Sequence, residues 1–321
     1  MSIDESLHEE HSQDRRPFKI VLFGRHCTQT TVTLRRLLRE DVCVNGVLIP
    51  SSRDFGPAVK RIAARPFIQI SGNNAPVESD TVDQLAHQTG IPIYQIRKPI
   101  SKEVITLLEE FSPDLIVVSC FPWRVPLRVT QSAPCGAINV HPSLLPKFRG
   151  PHPLFWSLQT GATTWGVTVH ELTDRLDSGS ILRQRTFDIL PSLITQGLEP
   201  AVSEIGAQTL VDAIRDIRSG NPALVEQDEA SATYRAHPTN SDLEIRTEWT
   251  VERAVNFVLG AIQLGYRPLV ATDRGLFVAR SATWMTDKSG SADFTWQTSE
   301  RISMRLTDGT IELVLSGELT G

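Results

Sequence analysis

Read from its N-terminus, the chain changes character at Phe18. Residues 1–17 are polar and charged with almost nothing to bury, the pattern of a flexible arm. Then FKIVLFG (18–24) is a short apolar run closed by a glycine, and the stretch from Thr31 to Glu40 spaces Leu34, Leu37 and Leu38 as one face of a helix. The apolar run VCVNGVLI (42–49) follows, then a long polar stretch to about residue 80. Beyond it the pattern predicts a helix from Val82 to Gln88, a strand at IPIYQI (91–96) and a helix from Ser101 to Phe111. PDLIVVSC (113–120) is continuously apolar, as strands covered on both faces of a parallel sheet are. Three more strands are expected at GAINVH (136–141), WGVTVHEL (165–172) and ILRQRTFDI (181–189). Leu210, Ile214 and Ile217 then recur at helical spacing ahead of Gly220, which is placed to stop that helix.

Strand and helix alternate throughout this part, the α/β signature. It predicts a first domain over 18–220. Residues 221–242, with Pro222 and Pro238 among polar residues, read as a linker. Over 243–321, Thr250 is placed to cap a helix bearing Val251, Val255, Val258 and Leu259. Short strands at PLVATD, GLFVARSAT, ISMRL and TIELVL alternate with turn residues, so this end is expected to be a smaller β-rich, barrel-like domain.

Composition narrows the function. A chain of 321 residues with 32 Lys+Arg against 37 Asp+Glu carries a formal charge of −5, which offers no global attraction for nucleic acid and none expected for DNA. No apolar run approaches the roughly 20 residues needed to span a bilayer, and the expected setting is cytoplasmic, without a membrane partner. Cys27, Cys43, Cys120 and Cys135 are widely spaced without a C-x-x-C pair. They are expected to be reduced thiols acting mostly as small core hydrophobes.

The candidate chemistry sits at the end of one strand. In GAINVHPS, Asn139 and His141 are two apart and share a face at the strand's carboxyl end, the edge at which open parallel sheets bind ligands. Asp177, in the turn RLDSGS, is a carboxylate that can orient the ring of His141 and favour its protonated form. Such a trio can stabilise an oxyanion and move one proton without a metal or a covalent nucleophile. By residue type alone, Asn-x-His can equally close a turn. Ser143 has no G-x-S-x-G elbow around it, and the spacing of His152 and His170 relative to His141 matches no metal motif, so no metal is expected.

The stretch from AINVHPSLLPKFRG through GVTVHEL to RLDSGSIL resembles the signature region of the folate-dependent formyltransferases. That family includes methionyl-tRNA formyltransferases, glycinamide ribonucleotide formyltransferases and sugar N-formyltransferases. The likeness consists of Asn-x-His, a Ser-Leu-Leu-Pro loop, a Gly-Val-Thr strand and a Leu-Asp-Ser-Gly turn, in that order. The segment from Ala232 to Ile262 resembles the entry to the C-terminal domain of the methionyl-tRNA enzymes. With FKIVLFG and DLIVVSC fitting its strands, the resemblance implies a Rossmann-like, mostly parallel sheet for the first domain, 10-formyltetrahydrofolate as donor and an amine as acceptor, with Asn139, His141 and Asp177 as catalytic trio. It further implies that Ser143, Leu144, Leu145 and Pro146 border the donor, and that Phe121, Pro122 and Trp123 together with Leu176, Ser178 and Gly179 wall the pteridine pocket.

Three departures bear on the acceptor. GRHCTQTT (24–31) follows the first strand where the methionyl-tRNA enzymes have a Gly-Thr-Pro-Asp-like turn. The region after the second strand has only Arg53, Lys60, Arg61 and Arg65 as cations, and RGPHPLFW (149–156) is closer to relatives acting on smaller substrates. The two-domain length favours methionyl-tRNA as acceptor; the departures and the acidic balance favour a small amine such as an amino sugar nucleotide. A folate-binding protein or a formyltetrahydrofolate hydrolase is the reading of another class.

Overall fold

A computed structural model describes residues 16–52, 56–62, 81–99, 101–188, 193–194, 197–285 and 293–318. Nearly all of the expected N-terminal arm, and Arg53 and Arg65, lie outside them.

The first strand, β1 (Lys19–Phe23), is buried over four of its five residues, as its unbroken apolar run requires. It leads to helix α1 (Thr28–Leu37), strand β2 (Cys43–Pro50), strand β3 (Val59–Ile62), helix α2 (Val82–Thr89) and strand β4 (Ile93–Ile96). Then follow helix α3 (Lys102–Phe111), β5 (Leu115–Ser119), the short α4 (Leu127–Thr130), β6 (Ala137–His141), α5 (Pro153–Thr160), β7 (Thr164–Glu171), β8 (Ile181–Asp188) and α6 (Leu198–Arg218). Local chemistry fixes the helix ends. Thr81 and Gln84 form a reciprocal capping box at the start of α2, Gly90 ends it in the left-handed region, and the Ser101 hydroxyl caps α3.

The eight strands form one sheet in the order β3-β4-β2-β1-β5-β6-β7-β8. Strands β4, β2, β1, β5 and β6 run parallel, whereas β3, β7 and β8 are added at the two sides through antiparallel pairings. This is the expected Rossmann-like, mostly parallel sheet, and β5 is buried at every residue. Strand β3 is a correction to the sequence reading, which left its residues in a polar stretch. It is an edge strand whose central Lys60 and Arg61 are exposed, so it carries no apolar alternation to announce it. Helix α5 was likewise not anticipated; Pro153 at its first position and Gly161 after its end bound it.

The smaller unit comprises helix α7 (Val251–Gln263), capped by Thr250, and strands β9 (Leu269–Thr272), β10 (Gly275–Met285), β11 (Phe294–Trp296), β12 (Arg301–Arg305) and β13 (Thr310–Glu318). Its sheet is antiparallel in the order β11-β12-β13-β10-β9 and curls as a half-barrel. Trp296, on one edge strand, packs on Phe277 at 5.4 Å between ring centroids and donates its indole N–H to Asp273 beside the other edge. One apolar core runs from the α1/α6 face of the large sheet through α5 and α7 into this small sheet, with Phe155 on α5 lying 5.8 Å from Phe257 on α7. A second core fills the opposite face, under α3 and α4.

Two expectations are corrected. None of the four cysteines is a core residue: Cys43 and Cys135 are exposed, Cys27 and Cys120 half-buried. Residues 221–242, expected as a linker, are a strap bound along the loop that follows β6. Thr233 N–H donates to the Pro146 carbonyl, Arg149 N–H to Thr233, and Arg235 N–H to Arg149. The Trp156 indole donates to the Ala236 carbonyl, and Val225 pairs with Ile181 in both directions.

Candidate active site

Asn139 and His141 end β6, at the carboxyl edge of the parallel strands. Strand β7 lies antiparallel beside it, placing His170 opposite Asn139 and Thr168 opposite His141. Since alternate residues share a face, these four polar side chains form one patch, and Asp177 reaches it from the turn before β8. Its backbone is left-handed (φ 52°), a conformation that Asp tolerates better than most residues.

The three expected residues are therefore brought together, with a fourth that the sequence reading set aside. His141 and His170 are both buried, and the Asp177 carboxylate lies between their rings. It is 3.9 Å from Nδ1 of His141 and 3.7 Å from Nε2 of His170, outside direct hydrogen-bond range of either. Its own hydrogen bond comes from the Gly150 N–H, at 2.8 Å. His141 donates through Nε2 to the Phe148 carbonyl at 2.9 Å.

The tautomer of His170 follows from its partners. Nδ1 lies 2.8 Å from the Glu171 carbonyl and must donate to it, so Nε2 is left as an acceptor for one amide hydrogen of Asn139, 3.2 Å away. Burial pushes the His170 pKa down to about 4 against the opposing pull of Asp177, and His141 adds to the lowering. A neutral His170 thus fixes the Asn139 amide and leaves its second N–H for the site. The signal for His170 was in the sequence, in the alternation Thr168-x-His170 within WGVTVHEL.

Thr168 organises the neighbouring loop. Its hydroxyl donates to the Ser143 carbonyl at 2.6 Å and accepts from Leu145 N–H and the Gln184 amide, which also donates to the Leu145 carbonyl. Ser143 spends its hydroxyl on the Lys147 carbonyl. Leu145 is buried, while Leu144 and Pro146 are half-buried. Gly166 is required by this packing, since a Cβ there would stand 2.2 Å from Leu144 Cδ2.

The expected pocket walls occupy adjoining loops. Phe121 packs edge-to-face between Phe23 and Trp123, at 5.4 and 5.5 Å, and Pro122 is exposed. An Arg124–Asp174 pair ties this loop to the β7–β8 turn, where Leu176 is 46% exposed and Ser178 bonds to Thr173 and the Arg175 carbonyl. Gly179 is buried so tightly that a Cβ would sit 2.0 Å from the Glu171 carbonyl oxygen, the same atom that holds His170.

The strap closes the far side. Gln227 donates to the main-chain carbonyls of Asp177 and Gly179, and the buried Arg149 guanidinium bonds to Gln227 and Glu229. Hydrogen bonds from Arg149 and Arg175 hold the Glu229 carboxyl well down, at about 2. Beside it, His152 and His237 lie 3.1 Å apart and Tyr266 packs against His152. Burial lowers the His152 pKa and raises that of Tyr266 to about 12. Among the described residues, no three His, Cys, Asp or Glu are grouped to hold a metal, and no helix is long and apolar enough to cross a membrane.

The chain is similar to known proteins in sequence and in fold. The Methionyl-tRNA formyltransferase of Trichlorobacter lovleyi is 34% identical over 163 residues, 51% of this chain and 52% of the relative. The chain thus matches about half the length of such curated relatives. Among solved structures, the N-formyltransferase of Helicobacter canadensis, in complex with folinic acid and dTDP-3-aminofucose, aligns with a TM-score of 0.63 at 16% identity. That alignment covers 94% of this chain and all of the other. The methionyl-tRNA formyltransferase of Clostridium thermocellum aligns at 0.54 and 13% identity, over 93% of this chain and all of the other. Both likenesses are of fold and extend through the small β unit. The family described as "Formyl transferase" matches residues 19–214, which include β6, β7 and the Asp177 turn, and the chain belongs to it.

Proposed function

We propose that the protein transfers a formyl group from 10-formyltetrahydrofolate to an amine. The observation that carries this reading is the buried Asp177 carboxylate between His141 and His170, with Asn139 fixed by the neutral His170 at the carboxyl edge of the sheet. In the reaction the uncharged amine nitrogen bonds to the formyl carbon, the bond from that carbon to N10 breaks, and the amine's proton passes to N10. The developing oxyanion requires donors held in place beforehand. The free amide hydrogen of Asn139 is one such donor. His141 is the other once its Nε2–H turns from the Phe148 carbonyl to the oxyanion, with the charge of Asp177 beside Nδ1 stabilising the imidazolium. Asp177 also relays the proton from the attacking amine.

For the donor, the loops around Phe121, Pro122 and Trp123 and around Leu176, Ser178 and Gly179 supply apolar faces and main-chain polar groups, as a flat heterocycle needs. Ser143 to Pro146, held by Thr168, border the reacting centre. Residues 18–220 form the catalytic unit and 243–321 the support or acceptor unit. The four free thiols suit a cytoplasmic setting.

The names of the relatives support methionyl-tRNA as acceptor. A second reading, a small amine such as an amino sugar nucleotide, is favoured by charge: residues 243–321 contain 8 Lys and Arg against 10 Asp and Glu. Several surface arginines of the large unit, Arg183, Arg185, Arg215 and Arg218, are already paired with carboxylates. The test is to supply 10-formyltetrahydrofolate with methionyl-tRNA or with a panel of small amines and follow tetrahydrofolate release. Transfer to tRNA with affinity falling steeply with salt supports the first acceptor. Transfer only to small amines supports the second, and release without any acceptor replaces both with a hydrolase.

A further inference from the structure

Two cysteines stand on loops that leave neighbouring strands at the same sheet edge. Strands β1 and β5 are adjacent and parallel, with Phe23 opposite Val118. Cys27 follows the first strand as N-cap of α1, and Cys120 directly follows the second. One hydroxyl binds the two loops together. Thr30 donates to the Ser119 carbonyl at 2.9 Å, accepts from Arg25 N–H at 3.1 Å, and lies 3.4 Å from Sγ of Cys27. A second tie joins Thr33 to the Ser119 hydroxyl at 2.9 Å. Thr30 thus links the Cys27 thiol to the carbonyl of the residue just before Cys120, and the two thiols and the Arg25 guanidinium act on one another electrostatically.

The pair is asymmetric. The influence of Cys120 outweighs burial and, with help from Thr30, brings Cys27 down to about 5. The same partnership and burial push Cys120 far up. A thiol at a helix N-terminus near an arginine is the environment of a reactive cysteine, and a second thiol on the adjoining loop is placed as a resolving one. Neither is sealed in the core. Cys120, itself left-handed at φ 59°, immediately precedes Phe121.

We propose that Cys27 and Cys120 form a modification site for hydroperoxides, in which Cys27 attacks the oxidant and Cys120 resolves the product as a disulfide. The Cys27 thiolate forms a bond to the terminal peroxide oxygen as the O–O bond breaks. The departing alkoxide takes up a proton and leaves as an alcohol, or as water from hydrogen peroxide. The sulfur, oxidised by two electrons, is a sulfenic acid. Cys120 sulfur then displaces its hydroxyl, which leaves as water with the Cys120 proton. An external dithiol reverses the change by exchange and is itself oxidised to a disulfide. The cross-link pins the Phe121–Trp123 loop, so on the donor-pocket reading above it also lowers formyl transfer; the chemistry itself is independent of that reading.

The sequence makes the test direct, because the four cysteines fall on four tryptic peptides, 26–35, 40–53, 103–124 and 129–147. The reduced full chain is treated with hydrogen peroxide, blocked with N-ethylmaleimide and digested without reduction. The expected result is a joined pair of 26–35 and 103–124, removed by dithiothreitol and absent in Cys27→Ser. In Cys120→Ser, dimedone marks Cys27. Alkylation of Cys27 by iodoacetamide should change less than about twofold between pH 8 and 6, whereas a thiol of ordinary pKa slows roughly 80-fold. Oxidation confined to Cys43 or Cys135, a Cys27 that alkylates as an ordinary thiol, or Cys27 oxidised in the wild-type chain without the cross-link would each overturn the proposal. If the cross-link forms and formyl transfer is absent throughout, the functional reading fails and this one stands.

Discussion

Replacing Asp177 by Asn removes the charge at the centre of the site and, with it, the proton relay. Asparagine retains an oxygen to accept the Gly150 N–H at 2.8 Å, and it tolerates the left-handed backbone that residue 177 adopts (φ 52°). The turn should therefore keep its shape. What is lost is the interaction of a carboxylate with an imidazolium whose Nδ1 lies 3.9 Å away, both side chains being buried. At an effective dielectric of about 20, that attraction is about 4 kcal/mol, which corresponds to about three orders of magnitude in rate. His170 adds little, since its depressed pKa keeps it neutral at working pH. The stabilised charge develops along the reaction, so kcat should fall at least about 10³-fold, loss of the relay adding to the charge effect, while KM for the donor barely moves. The assay follows tetrahydrofolate release under saturating acceptor, with urea denaturation run in parallel. Activity within tenfold of the wild type, in a variant of unchanged stability, would refute the role assigned to Asp177.

Three further outcomes follow from neighbouring residues. Thr168→Val keeps the shape of a fully buried side chain but leaves the Leu145 N–H and the Ser143 carbonyl without their partner. The expected loss is about 2–4 kcal/mol by urea denaturation, with weaker donor binding, and a loss under 1 kcal/mol counts against Thr168 as the prop of the loop. His170 is protonated less readily folded than unfolded, so its contribution to stability is complete above about pH 7 and drains away as pH falls from about 6.5 towards 4. Between pH 7 and 5 this amounts to about 2 kcal/mol, and His170→Gln should flatten that part of the urea-stability profile. Arg149→Met removes the buried guanidinium that grips Gln227 and Glu229, so limited chymotrypsin cleavage after the exposed Tyr234 should become about tenfold faster; an unchanged rate would show that main-chain pairing alone holds the strap.

What the sequence could reveal depended on how local each determinant is. The strands of the parallel sheet were legible because unbroken apolar runs such as Leu115–Ser119 have no other stable home, and helices α2, α3 and α7 because Thr81, Ser101 and Thr250 mark their starts. Asn139, His141 and Asp177 were legible as polar residues at a strand end and in a tight turn. His170 was only half legible: the alternation Thr168-x-His170 puts it on one face of a strand, but its role depends on β7 lying antiparallel to β6 with His170 opposite Asn139, a register that no single segment specifies. The strap was the largest departure for the same reason. Two prolines and a polar composition describe a connector correctly as chemistry, yet Thr233, Gln227 and Arg235 find their partners on residues 146–149 and 177–179, far away along the chain. Those partners are main-chain groups of the loop and turn that carry the site. The consequence is mechanical: a segment that joins the two units also satisfies the carbonyls around Asp177, so displacement of the small unit is transmitted to the carboxylate between the two histidines.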